Sequence, residues 1–257
     1  MSKTAVILTC SHVDPSVSNE RFDWLGSLIY DLRPDYVIDL GDGAEMRSLN
    51  TFDTKTPAAL CAQSYERDID HYNDAQDRIR RKFREMKKRK PAYFGCEGNH
   101  EYRIRRAIKV DPRLEGDRYG ISFSHLQTDH WFDEYYEYRN NAPDSFDKDG
   151  VTYAHYISNG NYGTAMSGEH HAYNLLKKRH HSTTVGHSHK RGMFFKDDAH
   201  PNPAIGLVAG CFKGAEESWA GQANHEWWKG VIIKRDIRGG CYDPEFVSMS
   251  RLKAIYG

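Results

Sequence analysis

The 257-residue chain has no uninterrupted apolar run of about 18 or more residues, the length that a membrane-crossing helix needs, so no span is expected. Its first residues, MSKTAVILTC, hold neither the long apolar stretch nor the small-residue cleavage site of a secretory signal. The expectation is a soluble, cytoplasmic protein with no membrane partner. Neither sign of charge is in excess: 36 Lys and Arg stand against 36 Asp and Glu. The global balance therefore gives no argument for nucleic acid or a membrane surface, and only local patches can. Cysteine is sparse and odd in number. The five residues are scattered at Cys10, Cys61, Cys96, Cys211 and Cys241, which is no disulfide framework, and reduced thiols are expected. Internal repeats and low-complexity linkers are also missing. At 39% hydrophobic content the chain is long enough for one sizeable core, and a single domain over 1–257 is expected.

Histidine is plentiful, with 14 residues, and its placement carries the information. Short strand-like runs recur, and many end in a polar, chemically capable residue. TAVILT (4–9) leads to Cys10 and His12, DYVIDLGD (35–42) to Asp42, and PAYFGCEGNHE (91–101) to Asn99 and His100. GVTYAHY (150–156) leads to His155, and STTVGHSH (182–189) to His187 and His189. AIGLVAG (204–210) and KGVIIKR (229–235) suggest two further strands. Helical patterns lie between. Phe22, Leu25, Leu28, Ile29 and Leu32 have helical spacing, with Ser18 or Asn19 as a cap and Pro34 after the end. Tyr65, Ile69, Tyr72, Ile79, Phe83 and Met86 form one stripe of a helix over about 60–89, and 167–180 reads as another. Alternating strands and helices predict an α/β fold, in which ligands collect at the carboxyl ends of strands. Segment 111–149 is aromatic, acidic and aperiodic. It reads as an inserted lid, or else as a surface excursion over packed aromatics.

Taken together, the strand ends supply imidazoles, a carboxylate, an amide oxygen and a thiol: Cys10, His12, Asp42, Asn99, His155, His187 and His189. This is a transition-metal ligand set, and it is too large for one tetrahedral ion. Two ions sharing Asp42 would use it all. Each element alone is weak, since a lone strand-end histidine is more often simply hydrogen-bonded and GD alone is a turn. The ordered set is much stronger.

In order, CSH (10–12), GDGAE (41–45), GNHE (98–101), AHY (154–156) and GHSH (186–189) resemble the calcineurin-like metallophosphoesterases, which carry DxH, GDxxD, GNHE/D, a lone His and GHxH. The match covers 5–190. The resemblance implies a four-layer α-β-β-α sandwich with two mixed sheets, and hydrolysis of a phosphate ester at two metals. It implies one metal on His12, Asp42, His189 and position 10, and another on Asp42, Asn99, His155 and His187. It makes His100 the general acid toward the leaving oxygen. The chemistry is coherent, because two dications make a shared water acidic enough to attack phosphorus in line near neutral pH. Asn99 suits its role, since an amide oxygen adds no charge and leaves the site cationic for an anionic substrate.

Two positions depart from the pattern. Cys10 stands where the family has aspartate. As a thiolate it would move metal preference from Mg toward softer ions, with Zn, Fe, Mn and Ni all open; as a protonated thiol it would only pack. Glu45 closes GDGAE where the family has aspartate, and it is expected to orient His100 and raise its pKa. The arginine that follows GDxxD in protein phosphatases is absent, with Met46 there and Arg47 one later.

Arg103 and Arg106 share a face at i, i+3 after GNHE and are candidates to meet a substrate phosphate. RIRRKFREMKKRK (78–90) either tracks a nucleic-acid backbone or is the wet face of an amphipathic helix. The leading expectation is a phosphodiesterase on a nucleotide or nucleic-acid substrate. The alternatives are a phosphomonoesterase on a small metabolite and a catalytically weak metal-binding module of the same fold.

Overall fold

The computed structural model describes residues 2–51, 64–87, 90–160, 163–197 and 203–257. Among them, a six-stranded sheet runs β11–β10–β1–β2–β3–β4: Cys241–Ser248, Gly230–Arg238, Lys3–Leu8, Tyr36–Asp39, Ala92–Cys96 and Glu134–Tyr136. A five-stranded sheet runs β8–β9–β7–β6–β5: Arg191–Lys196, Ala204–Ala209, Thr183–Val185, Val151–Ala154 and Ser145–Lys148. Both sheets are mixed. β1 to β4 are parallel, β10 runs antiparallel to β1 and β11 antiparallel to β10, and β6, β7 and β9 are parallel with β5 and β8 antiparallel.

Side-chain alternation builds the layers. Along β1, Ala5 and Ile7 point between the sheets with Ile38, Phe94, Tyr153, Leu207 and Ile232. Val6 and Leu8 point the other way, into a core with Phe22, Leu25 and Ile29 of α1 (Glu20–Leu32) and Ile69, Tyr72 and Ile79 of α2 (Tyr65–Arg84). On the outer face of the second sheet, Ala154, Val185 and Val208 pack against Ala172 and Leu175 of a helix at His171–Arg179. The result is helix, sheet, sheet, helix, the four-layer architecture that the resemblance implied. No helix among the described residues is long and apolar enough to cross a membrane.

Three local expectations are refined. Asn19 occupies the cap position of α1, but its amide donates to His71 O and Asp74 Oδ2; Ser18 Oγ instead accepts from Glu20 N at 3.2 Å. The long second helix is seen as Tyr65–Arg84, and parts of its expected 60–89 span lie outside the described residues. The latter part of segment 111–149 is built into both sheets, whereas its first part lies outside them with Tyr119 88% exposed. β4 extends the first sheet beside β3 and β5 edges the second. Phe132 stacks on Tyr93 at 4.9 Å, and Phe146 stacks on Tyr136 at 4.2 Å in the inter-sheet core. Aromatics that read as a lid are therefore core packing, because a residue's layer depends on sheet register and not on local pattern.

Candidate metal centre

Every residue of the predicted ligand set sits just past the carboxyl end of a parallel strand, and the two sheets bring those ends together. The loops that carry them are held in left-handed backbone: φ is +48° at Cys10, +44° at His12, +53° at Asp42, +65° at His187 and +59° at His189. Such non-glycine residues cost on the order of 1–3 kcal/mol each and persist where their surroundings over-determine them. Here Cys10 N donates to Gly41 O at 2.9 Å, His12 N to Asp42 O at 2.9 Å and Val13 N to Gly43 O at 2.7 Å, so the first two loops brace each other. The glycines of GN and GH permit the close approach. A Cβ on Gly98 would lie 2.1 Å from Asp42 N, and one on Gly186 would lie 1.9 Å from Thr9 Oγ1.

Two imidazoles are pinned by their far nitrogens. His155 Nδ1 donates to Leu40 O at 2.8 Å, and His12 Nδ1 donates to Glu45 Oε2 at 2.6 Å. Both Nε2 atoms then turn inward. That of His155 lies 3.1 Å from Asn99 Oδ1, from His187 Nδ1 and from Asp42 Oδ2. That of His12 lies 2.9 Å from His189 Nε2 and 3.8 Å from Asp42 Oδ2. A single proton on His155 Nε2 can serve only one of its three neighbours. The cluster holds more lone pairs than protons, which is the chemistry of a cation site. Cys10 joins it, with Sγ accepting from His187 N at 3.1 Å. Three overlapping groups have their ligand atoms within 4.8 Å of one another: Cys10 with His12 and His189, Cys10 with Asp42 and His155, and His12 with Asp42 and His100. The donor set therefore fits soft or borderline dications, and Cys10 stands within reach of both groups.

Electrostatics favours neutral imidazoles at His12, His187 and His189, whereas at His155 burial acts to lower the ring and Asp42 outweighs it and raises it. Burial, with Lys213 nearby, lowers His12 to about 4. Burial and His155 lower His187 to about 4, and burial and His12 lower His189 to about 2. For Asp42, burial acts to raise the carboxyl, but His155 and His100 hold it well below the usual carboxylate range. Burial and then Asp42 push the Cys10 thiol well up, so it gives up its proton only beside a cation.

The contacts of Glu45, Arg103 and Arg106 differ from the sequence expectation. The Glu45 carboxylate makes its short contact with His12, at 2.6 Å, and lies 3.5 Å from His100 Nδ1. His100 Nδ1 instead donates to the Glu45 backbone carbonyl at 2.9 Å. The extra methylene of glutamate carries its carboxylate past His100 to the metal-facing histidine. Arg103 is largely spent on the same loop, donating from Nη1 to Glu45 O at 2.9 Å and Met46 O at 3.3 Å, with Nη2 left 3.3 Å from His100 Nε2. Arg106 is exposed on the helix Tyr102–Val110, which becomes α3.

Several supporting groups had no legible role in the sequence. Glu101 is buried and accepts from Ala44 N at 2.8 Å, Gly98 N at 2.9 Å and Asp42 N at 3.1 Å, tying the GD and GN loops together. Burial and Asp42 raise its carboxyl to about 8. Buried Lys213 pairs with Glu217 at 2.7 Å and reaches Glu45 Oε2 at 3.6 Å. Buried Arg21 donates to Ser11 O and Phe212 O, both at 3.1 Å, and so clamps the first loop to the one after β9. Glu101 belonged to a visible motif, but Lys213 reaches Glu45 and Arg21 reaches both Ser11 and the distant Phe212 with no local signal. Trp227 meets His189 edge-on at 4.6 Å while Trp228 turns to Phe246, so the two tryptophans face apart.

The four layers and the position of the motifs at strand ends agree with what the resemblance to the calcineurin-like metallophosphoesterases implied. No family model matches it, and no curated protein does. Among solved structures it is similar to a conserved uncharacterized protein of Streptococcus pneumoniae TIGR4 described as a predicted phosphoesterase, with 9% identity, a TM-score of 0.36, and coverage of 97% of this chain and 91% of that one. It is also similar to a protein described as a candidate diadenosine tetraphosphatase, with 8% identity, a TM-score of 0.37, and coverage of 96% and 94%.

Proposed function

We propose that the chain hydrolyses phosphate esters at a two-metal centre and prefers phosphodiesters of the nucleotide kind. The observation that carries this reading is the crowd of inward lone pairs around Asp42 Oδ2 and the two pinned Nε2 atoms. His12, His189, Asp42 and Cys10 would hold one ion; Asp42, Asn99, His155 and His187 would hold the other. Ions bound there would supply the acidity that makes water nucleophilic near neutral pH and the positive charge that offsets the phosphoryl oxygens. The chain's own residues do the rest. His100 is fixed by its N–H to Asp42 Oδ1 at 2.9 Å and its ring Nδ1 to Glu45 O, leaving Nε2 to hand a proton to the leaving oxygen. A guanidinium has only donors, so beside Arg103 that nitrogen rests as an acceptor. A phosphate oxygen that takes Arg103 would free His100 to carry the proton.

Diester preference is supported by Arg47, which is spent on Asp14 at 2.6 Å and on Glu217 and so is withheld from a phosphate. A nucleotide is supported by an aromatic wall leading away from the site. Tyr156 lies 4.9 Å from His187, Tyr138 OH donates to Tyr156 OH at 3.4 Å, and Tyr102 stacks on Tyr138 at 4.5 Å. A small nucleotide fits better than a long nucleic acid, because the described arginines of the 78–90 run are engaged within the chain. Arg78 pairs with Asp23 and Asp74, Arg81 and Arg84 pair with Asp77, and Arg80 lies 3.9 Å over the Tyr93 ring. The test is elemental analysis of protein purified without chelator, together with turnover of bis-p-nitrophenyl phosphate and p-nitrophenyl phosphate under Mn, Zn, Ni or Fe. About two metals per chain and faster diester turnover are expected. Metal-loaded protein that turns over neither ester would sink the reading.

A further inference from the structure

β8 is the outermost strand of the second sheet, paired antiparallel with β9 from Arg191–Ala209 to Lys196–Ala204. Among the described residues no strand covers its other edge. Natural proteins blunt such edges with charge, proline, bulges or brevity. This strand runs six residues without a bulge or a proline, and its centre is apolar: Met193, Phe194 and Phe195 are 37%, 39% and 45% exposed. Met193 and Phe195 share the face of their partners Leu207 and Ile205. Phe194 lies on the opposite face, where it meets exposed Tyr173 edge-on at 5.1 Å. Both faces of the free edge are therefore apolar and continuous, the kind of patch that marks an association surface.

We infer that this edge is the seam of a homodimer, in which two copies of β8 pair antiparallel about a two-fold axis at Phe194. Charge selects the occupant and the register. With Phe194 opposite its own copy, Met193 falls opposite the partner's Phe195 and Arg191 opposite the partner's Asp197. Three of the pairings are then matched in kind, aromatic with aromatic, thioether with aromatic, cation with anion, and the fourth sets Gly192 against the partner's Lys196 with no like charge opposed. Moving the axis between Met193 and Phe194 sets Arg191 against the partner's Lys196 at both ends, which like charge disfavours. The pairing is isologous, so it closes at two copies and uses up both edges. Two five-stranded sheets become one of ten strands. The seam begins two residues after His189, and the inference does not depend on what the metal centre does.

The test is the solution mass of the full chain, by light scattering after size-exclusion chromatography. Two chains are expected for the wild type and one for Phe194→Glu, with an unchanged far-ultraviolet circular dichroism spectrum showing that the single chain stays folded. Phe194→Cys then reads the register. On the axis the new thiols face each other at about 4.5–5.5 Å between Cα atoms, within disulfide reach, so oxidation yields a two-chain band. Met193→Cys does not, since it faces Phe195, and oxidised wild type controls for the native thiols. Arg191→Asp lowers the dimer fraction and Arg191→Asp with Asp197→Arg restores it. A wild type of one-chain mass at high micromolar concentration overturns the inference. So does a two-chain mass that survives Phe194→Glu, or equal cross-linking by Met193→Cys.

Discussion

His12 gives its Nδ1 proton to the Glu45 carboxylate across 2.6 Å, and this contact fixes which of its nitrogens faces the cluster. A histidine that ligates through one nitrogen is commonly oriented by an acceptor on the other, and loss of such a partner costs about 10- to 100-fold in metal affinity or activity. Glu45→Ala should therefore raise the metal concentration for half-maximal turnover by about that factor, with a near-normal melting temperature. Titration of the chelator-stripped variant with Mn or Zn measures it. Wild-type affinity would mean that Glu45 serves something other than His12.

Cys10 accepts from His187 N and stands within reach of both ligand groups. Cys10→Asp replaces a soft donor with a hard one and should shift preference from Zn or Fe toward Mn or Mg. Competition between metals, followed by metal analysis of the recovered protein, reads the shift directly. An unchanged metal profile would make Cys10 a packed thiol.

His100→Asn should lower kcat by about 10²- to 10⁴-fold, the usual worth of a positioned proton donor, at unchanged metal content. The loss should be smaller for p-nitrophenolate, which leaves without help, than for an alkoxide leaving group. Equal losses for both would point to a role in binding rather than proton transfer.

His171 gives a pH prediction clear of the ligands. Burial lowers it from 6.5 to about 4, and its Nε2 has no hydrogen-bond partner among the described residues. Between those values the unfolded chain binds a proton at this position that the folded chain refuses, so folded stability falls as pH drops from 6.5 toward 4. His171→Phe removes that component. The melting temperature of the variant, measured on metal-free protein, should fall less steeply over this window than that of the wild type. Parallel curves would show that His171 titrates normally.

Much of the site was readable in the chain order. Strand-end residues such as Asp42, Asn99 and His155 follow apolar runs whose length and flanks announce buried parallel strands, and α/β topology gathers their carboxyl ends. Residue type then declares the chemistry, since imidazole, carboxylate, amide and thiol offer lone pairs in any fold. The sequence thus determined the α/β class, the candidate ligand set and the departure at Cys10.

The tertiary structure decided what depends on a few tenths of an ångström or on distant loops. Whether Glu45 serves His100 or His12 turns on one methylene and on a loop braced by Val13 and Gly43. Arg103 looked free on its helix and is bound to the carbonyls of Glu45 and Met46. Lys213 and Arg21 reach the site only because β9 ends and α1 begins beside it. Phe146 and Phe194 are both strand phenylalanines, and only sheet order buries one between the sheets and leaves the other on an open edge. Local pattern encodes which side of an element is apolar; long-range pairing sets what that side meets.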